Sequence, residues 1–365
     1  MNFDLSDDAK TLKEAARKFL DARAGPPVAR KVMDDGLTYD AALWAEVVEQ
    51  GWPAARVPEA HGGLGLGADE ACVLAEAMGR SLAPVPLLST MAAIEAILLA
   101  GTDAQKAHWL PKLASGEAVG TIAWAGGDAK SPTAMPDLTL SGDTVSGVKS
   151  PVTDGLVATV AIVTVASADG PAMAIVSLDG VTREAVETLD LVRPSAKLHF
   201  EKTPAQALGT AADWVKLTEQ LAVLAAWEAL GTADAARDMT VAYAKDRVAF
   251  GQRIGRYQGV KHKLADMYIL SELARAHALH GCWAWSAGAA ELSQAAAAAR
   301  VSSLDALKFT AEESVQLHGG IGFTWEHDCQ FYYRRNRQIA SSLGSRAHWA
   351  DRLVRALEQR NRASA

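Results

Sequence analysis

A mainly helical protein with a central β-domain is the fold this sequence predicts, on three observations. Apolar residues recur at helical spacing before about residue 118, short runs rich in Val, Ile and Thr fill about 119 to 208, and long Ala- and Leu-rich stretches follow. That order gives three candidate domains: an N-terminal helical domain over 1–118, a β-domain over 119–208 and a C-terminal helical bundle over 209–365.

Each element has a local cause. Ser6 is placed to cap a first helix running through Leu12, Ala15, Ala16, Phe19 and Leu20, with Asp7 and Asp8 at the positive end of its dipole. A second helix covers about Tyr39 to Gln50 and stops at Gly51. The segment Pro58 to Gly67 holds four glycines and by itself reads as a tight turn between helices. It lacks the GxxxxGKS/T order of a P-loop, and no strand precedes it as a dinucleotide-binding turn requires. Strands are expected at Val145 to Val152, Val157 to Val165, Ala172 to Leu178 and Lys197 to Phe200, punctuated by Gly, Asp and Pro, as a compact antiparallel unit. Helices are then expected over Ala212 to Lys245, Gly259 to Ala289, Leu292 to Leu317 and Ser345 to Gln359, an up-and-down four-helix bundle. No fixed-period repeat interrupts this order.

Composition narrows the function. At 365 residues, 49% apolar and 22% charged, the chain can bury an ample core. A net charge of −7 and a pI near 5.7 argue against tracking a nucleic-acid backbone, which needs a basic face. No apolar run reaches the roughly 18 to 20 residues a membrane helix needs, and Met1 to Ser6 resembles neither a secretion signal nor a transit peptide, so a cytoplasmic location is expected. Cys72, Cys282 and Cys329 are far apart, with no CxxC pair and no local Cys/His metal spacing. They are expected as buried thiols, and no metal site is expected. His262, His318, His327 and His348 are expected as scattered polar or packing residues.

Two motifs in the last zone carry binding chemistry. Arg247-Val248-Ala249-Phe250-Gly251 offers a permanently charged planar guanidinium suited to a pyrophosphate. Gln316-Leu317-His318-Gly319-Gly320-Ile321-Gly322-Phe323 offers an amide beside glycines that let backbone approach a ligand closely, and Gln258 offers a second amide. Taken alone, Arg247 also suits a surface salt bridge, and Gly319-Gly320 also suits a helix stop.

The motifs in order resemble the acyl-CoA dehydrogenases along nearly the whole chain. Gly51-Trp52 with Val57-Pro58-Glu59 and Gly62 to Gly65, Glu76 to Pro86, and Gly101 to Lys106 with Trp109-Leu110-Pro111 are similar to that family's N-terminal segments. Arg247 to Ile254 with Gln258 and Leu264-Ala265-Asp266-Met267 resembles its RxxFGxxI…Q…LADM signature, and Gln316 to Phe323 its QxxGGxGF. The resemblance implies the acyl-CoA dehydrogenase fold, FAD as cofactor, an acyl-CoA thioester as substrate and an electron-transfer flavoprotein as electron acceptor. It also implies that Arg247, Phe250, Gln258, Gln316, Gly319, Gly320 and Ser345 bind flavin, the RxxFG and QxxGG residues reaching across a dimer interface to the adenine-pyrophosphate half of a neighbour's cofactor.

The chemistry departs from the family. Removing an α-proton while a β-hydride leaves for flavin requires a desolvated carboxylate. Counted from Gln316, the usual glutamate position holds Leu343; counted back from Arg247, the alternative position holds Leu221, followed by Ala222. Where the family has A-x-T-E-x-x-x-G-S-D against the flavin ring, the stretch Ile122 to Lys130 has no Thr-Glu pair. Glu219 falls on another face from Leu221, whereas Glu228 lies two turns along nearly the same face and is a weak candidate for a displaced base. The expected role is a subunit of a heteromeric dehydrogenase, of the kind that resembles bacterial systems for steroid side chains or other bulky acids, with a homologous partner carrying the base. Two alternatives stand beside it: a self-sufficient homomeric enzyme using a base such as Glu228, and a silent scaffold that binds neither flavin nor thioester.

Overall fold

The computed structural model describes residues 4–127 and 131–363, which form two compact units interleaved along the chain. One unit takes residues 30–71 and 84–221; the other takes residues up to 29, 72–83 and 222 onward. Compaction thus follows these two interleaved sets, whereas the three zones read from sequence follow secondary-structure type.

Six helices precede the sheet: α1 (Asp7–Arg23), α2 (Pro26–Asp34), α3 (Ala41–Glu49), α4 (Ala68–Ser81), α5 (Leu87–Ala100) and α6 (Asp103–Ala114). Ser6 caps α1 as expected, its hydroxyl accepting from the Ala9 amide at 3.0 Å, and the helix buries Ala9, Ala16 and Leu20. Asp40 caps α3 in the same way, accepting from Leu43 at 2.9 Å. Between α3 and α4, Gly63 lies against the Val57 carbonyl, where a Cβ would fall 1.9 Å from the oxygen. Internal packing therefore accounts for that glycine, in line with a tight turn.

The sheet comprises β1 (Gly120–Ala123), β2 (Leu140–Ser141), β3 (Thr144–Thr153), β4 (Val160–Ser167), β5 (Gly170–Ser177), β6 (Thr182–Val186) and β7 (Ser195–Leu208). Its order is β1-β4-β5-β7-β3-β2, with β6 added on β7. The four runs expected as strands pair antiparallel, β4 with β5, β5 with β7 and β3 with β7, whereas β1, outside those runs, lies parallel to β4, Gly120 opposite Val160. A four-residue strand has too little alternation to reveal itself, and α5 packs against it from the preceding helical segment.

The remainder is α7 (Ala211–Asp246), a two-residue-strand hairpin of β8 (Val248–Ala249) and β9 (Gln252–Arg253), α8 (Gln258–Ser286), α9 (Leu292–His318), α10 (Cys329–Ser342) and α11 (Arg346–Ala363). Within the second unit, α9 packs on α8, α10 and α11, and Ala229, Ala233, Leu304, Leu307 and Ile339 make a buried cluster. The end of α4 meets α7 backbone to backbone. A Cβ on Gly79 would lie 2.0 Å from the Glu228 carbonyl oxygen, and one on Gly231 would lie 1.9 Å from that of Glu76. Arg275 of α8 ties the same helices by bonding Glu76 at 2.7 Å and pairing with Asp234, and its opposing carboxylates raise its pKa despite the cost of burial. No helix among the described residues is long and apolar enough to cross a membrane.

Candidate functional site

The exit of α7 builds the first part of the site. Its last turn passes into the β8–β9 hairpin, with Phe250 and Gly251 as the two loop residues at φ 51° and 80°. Both values are positive, as a type I′ turn requires. A phenylalanine in this region is strained, and here its ring is 98% exposed, so packing within the chain does not explain the strain. Arg247 stands at the base of the hairpin, its amide bonded to the Tyr243 carbonyl at 2.8 Å and its own carbonyl accepting from Ile254 at 2.8 Å. Its side chain is exposed and makes no ion pair or hydrogen bond among the described residues. A fixed backbone thus presents an uncompensated cation.

The end of α9 builds the second part. Gln316 is exposed in its last turn; Gly319 leaves the helix at φ 63° and ψ −142°, and the 3-10 turn Gly319–Phe323 follows. The glycines here have different causes. Gly322 is demanded by the chain, since a Cβ would fall 2.4 Å from the Val315 carbonyl oxygen. Gly320 has no positive φ, and a Cβ on it would meet nothing within 4 Å. Nothing among the described residues requires glycine there. Beside this turn opens a cleft of about 460 Å³ lined by Gln316, Gly322, Phe323, Trp325, Gln330 and Arg334. Arg334 lies over the Trp325 ring at 4.5 Å, and the Gln330 amide donates to the Trp325 carbonyl at 2.7 Å, so this wall is ordered.

Tyr243 joins the two parts. Its hydroxyl donates to the His318 carbonyl at 3.2 Å, and its ring lies 4.4 Å from the His318 ring. Arg247, one turn past Tyr243, and Gln316, two residues before His318, are therefore held at the same end of the bundle. Gln258 is exposed in the first turn of α8, which follows the hairpin after a short 3-10 turn over Ile254–Arg256. Ser345 is not with them: Arg346 pairs with Asp305 at 2.5 Å, which lies eleven residues before Gln316, roughly 16 Å along α9 at the usual helical rise. The Ser345 hydroxyl accepts from the His348 amide at 3.2 Å and so caps α11.

The positions of the expected base are filled by packing. Leu343 is 5% exposed and its carbonyl receives the Trp349 indole N–H at 2.7 Å. Leu221 is 8% exposed and Ala222 is fully buried. Glu228 is buried and pairs with Arg335 at 3.5 Å. It also faces Arg300, whose guanidinium is fully buried and whose pKa is pulled down to about 10 by that burial, against the opposing attraction of Glu228. Glu228 is thus the counter-charge of two buried arginines.

At the β-domain, the stretch Ile122 to Gly127 is described, whereas Asp128, Ala129 and Lys130 lie outside the described residues. The Trp124 carbonyl accepts from the buried Lys149 ammonium at 3.2 Å and from the Thr164 hydroxyl at 3.2 Å, and the Ala125 carbonyl accepts from the Ser150 amide at 3.0 Å. Backbone acceptors of this stretch are engaged within the domain. Burial pushes the Lys149 pKa down to about 8, with Asp137 opposing the shift.

One grouping escaped the sequence. His318, His327 and Cys329 each offer a ligand atom, all within 4.8 Å of one another, directly behind the Gly319–Phe323 turn. Their spacing of nine and two residues matches no local metal motif; the turn alone brings them together.

Comparison with known proteins bears on this arrangement. The family description "Acyl-CoA dehydrogenase, N-terminal domain" matches residues 6–117, and "Acyl-CoA dehydrogenase, C-terminal domain" matches residues 216–357. The chain is 34% identical to acyl-CoA dehydrogenase IpdE2 of Mycolicibacterium smegmatis over 93% of this chain and 96% of that protein. Among solved structures it resembles a variant of the Tcur3481-Tcur3483 steroid ACAD, with TM-score 0.91 and 30% identity over 98% and 99% of the two chains. It also resembles a chain of the ChsE4-ChsE5 complex from Mycobacterium tuberculosis, with TM-score 0.89 and 25% identity over 98% and 99%.

Proposed function

Since this chain belongs to the acyl-CoA dehydrogenase family, we propose that it is the base-lacking, clamp-donating subunit of a heteromeric flavin-dependent acyl-CoA dehydrogenase. The observation that carries the reading is a division within the site: an unpaired exposed Arg247 and an unexplained Gly320 at one end of the bundle, and buried leucines at both positions for a base.

FAD fits the clamp residues. Arg247 would hold the pyrophosphate, Gln316 and Gln258 would offer amides, and the bare backbone at Gly319-Gly320 would admit the cofactor closely. When bound, FAD supplies acceptance of the substrate's β-hydride. This chain's residues bind and orient; proton removal falls to the homologous partner, which carries the carboxylate and the acyl-CoA. The exposed Val248, Phe250, Ile321 and Phe323 around the clamp support a covering partner, because apolar side chains clustered on a surface mark interfaces. The steroid ACAD and ChsE4-ChsE5 likenesses support two unlike chains and a substrate with a steroid side chain or another bulky acyl group. Electrons would leave for an electron-transfer flavoprotein, as the family implies.

The experiment is coproduction with neighbouring homologous reading frames, followed by counting chains and flavin. About one FAD per pair of unlike chains is expected, since two-fold pseudo-symmetry makes two unequal cofactor positions and only one combines a ring site with this clamp. A stable homo-oligomer with FAD in every subunit would sink the reading.

A further inference from the structure

We propose that His318, His327 and Cys329 form a zinc site that fastens the Gly319–Phe323 turn to the start of α10. The ligand geometry is the first ground. One atom from each of the three side chains lies within 4.8 Å of the others, and tetrahedral zinc with bonds of about 2.0 to 2.3 Å needs ligand atoms roughly 3.3 to 3.8 Å apart. A closure of about 1 Å, within the reach of side-chain rotation, completes the contact.

Tautomer and burial supply the second ground. The His318 Nδ1 bonds the Ser314 carbonyl oxygen at 2.7 Å, so that nitrogen carries the proton and Nε2 keeps its lone pair. A backbone carbonyl holding the far nitrogen of a ligating histidine is the usual outer support of a metal site. His318 is 2% exposed, and its Nε2 is buried with no hydrogen-bond partner. Buried acceptors are almost always satisfied, so this one calls for a partner that the described residues do not supply. His327 Nδ1 accepts the Cys329 amide at 3.2 Å, and a metal bound at that nitrogen would take the place of this bond. The Cys329 sulfur lies 3.5 Å from the Gly322 carbonyl, its S–H a weak donor that a metal would replace.

Two imidazoles and a thiolate are a borderline-soft set that suits zinc, whereas magnesium and calcium prefer oxygen. On binding, the thiol proton passes to solvent, the Zn–S and two Zn–N bonds form, and nothing is oxidised or reduced. Because His327 is only partly buried, water can reach the fourth position. The consequence is mechanical. His318 ends α9 immediately before Gly319, and Cys329 begins α10, so the metal would clamp both ends of the turn that carries Gly320.

The inference stands apart from the flavin reading, and its readout is metal content. The full-length chain, produced with zinc supplementation and dialysed against a weak chelator, should retain about one zinc per chain, and cobalt substitution should show a thiolate-to-cobalt absorption band. Cys329→Ser should abolish the band and weaken zinc binding at least about tenfold, and His327→Gln should weaken zinc to a similar degree. Hydrogen exchange of residues 319–330 should quicken on zinc removal while flavin content is read separately. Less than about a tenth of a zinc per chain with no cobalt–thiolate band, or full zinc retention in both variants, would overturn the site and leave the three side chains as packing around Tyr243.

Discussion

Arg247 joins permanent charge, exposure and lack of a partner among the described residues, which suits it to an outside anion. A charge-assisted hydrogen bond contributes about 1.5 to 3 kcal/mol, so Arg247→Ala should weaken FAD binding by the assembled complex by roughly 10- to 150-fold. Flavin absorbance per chain after gel filtration checks it, and unchanged folding by circular dichroism is expected because the side chain supports nothing within the chain. Lys149 poses the opposite case, a cation 1% exposed whose pKa burial lowers from 10.5 to about 8. Between pH 8 and 10.5 the unfolded chain holds a proton that the folded chain has lost, so this group makes stability rise with pH across that window. Below pH 8 the folded chain bears the cost of a buried charge. Lys149→Met should remove a pH-dependent gain of up to about 3 kcal/mol, seen as a smaller difference between denaturation midpoints at neutral pH and near pH 10.

At the scale of elements, two glycines of the same chemistry have opposite causes. Gly231 lets α7 approach α4 until a Cβ would sit 1.9 Å from the Glu76 carbonyl oxygen, so Gly231→Ala must push two helices apart. Overpacking of this kind costs about 1 to 3 kcal/mol, visible in the denaturant midpoint. Gly320→Ala meets open space and should change stability by less than about 0.5 kcal/mol while lowering flavin content in the complex. Loss of stability without loss of flavin in Gly320→Ala would contradict its role at the clamp. Elements also differed in how plainly they announced themselves. The long helices α7, α8, α9 and α11 showed in their alanine- and leucine-rich spacing, within a few residues of their ends. α10 did not, because its buried face includes Arg335, Asn336 and Gln330 as well as Phe331 and Ile339, which breaks the apolar period.

For the molecule as a whole, the proposed function separates binding from proton transfer. Without a carboxylate at position 343 or 221, and with Glu228 paired with Arg335 and facing Arg300, the purified chain by itself should turn over acyl-CoA at background rate. Loss of a general base costs on the order of 100- to 10,000-fold. Reduction of a dye acceptor by the single chain and by the coproduced pair measures it directly. Robust turnover by the single chain, abolished by Glu228→Gln, would instead establish the displaced base.

Local pattern alone determined the helix-sheet-helix order, the Ser6 cap and the bundle, because each depends on neighbouring residues whose spacing repeats; the two continuous motifs proposed as the clamp were legible in the same way. The leucines at 343 and 221 were equally legible, being a matter of identity at a counted position. Tertiary structure decided the rest. Only packing separates Gly320, which the chain leaves open, from Gly322 and Gly231, which the chain requires. Only the meeting of α9 and α10 brings Arg300 and Arg335 to Glu228. His318, His327 and Cys329 likewise become neighbours only through a turn that folds the chain back on itself, since distance in space between side chains is set by the path of the backbone and is not encoded in their spacing along it.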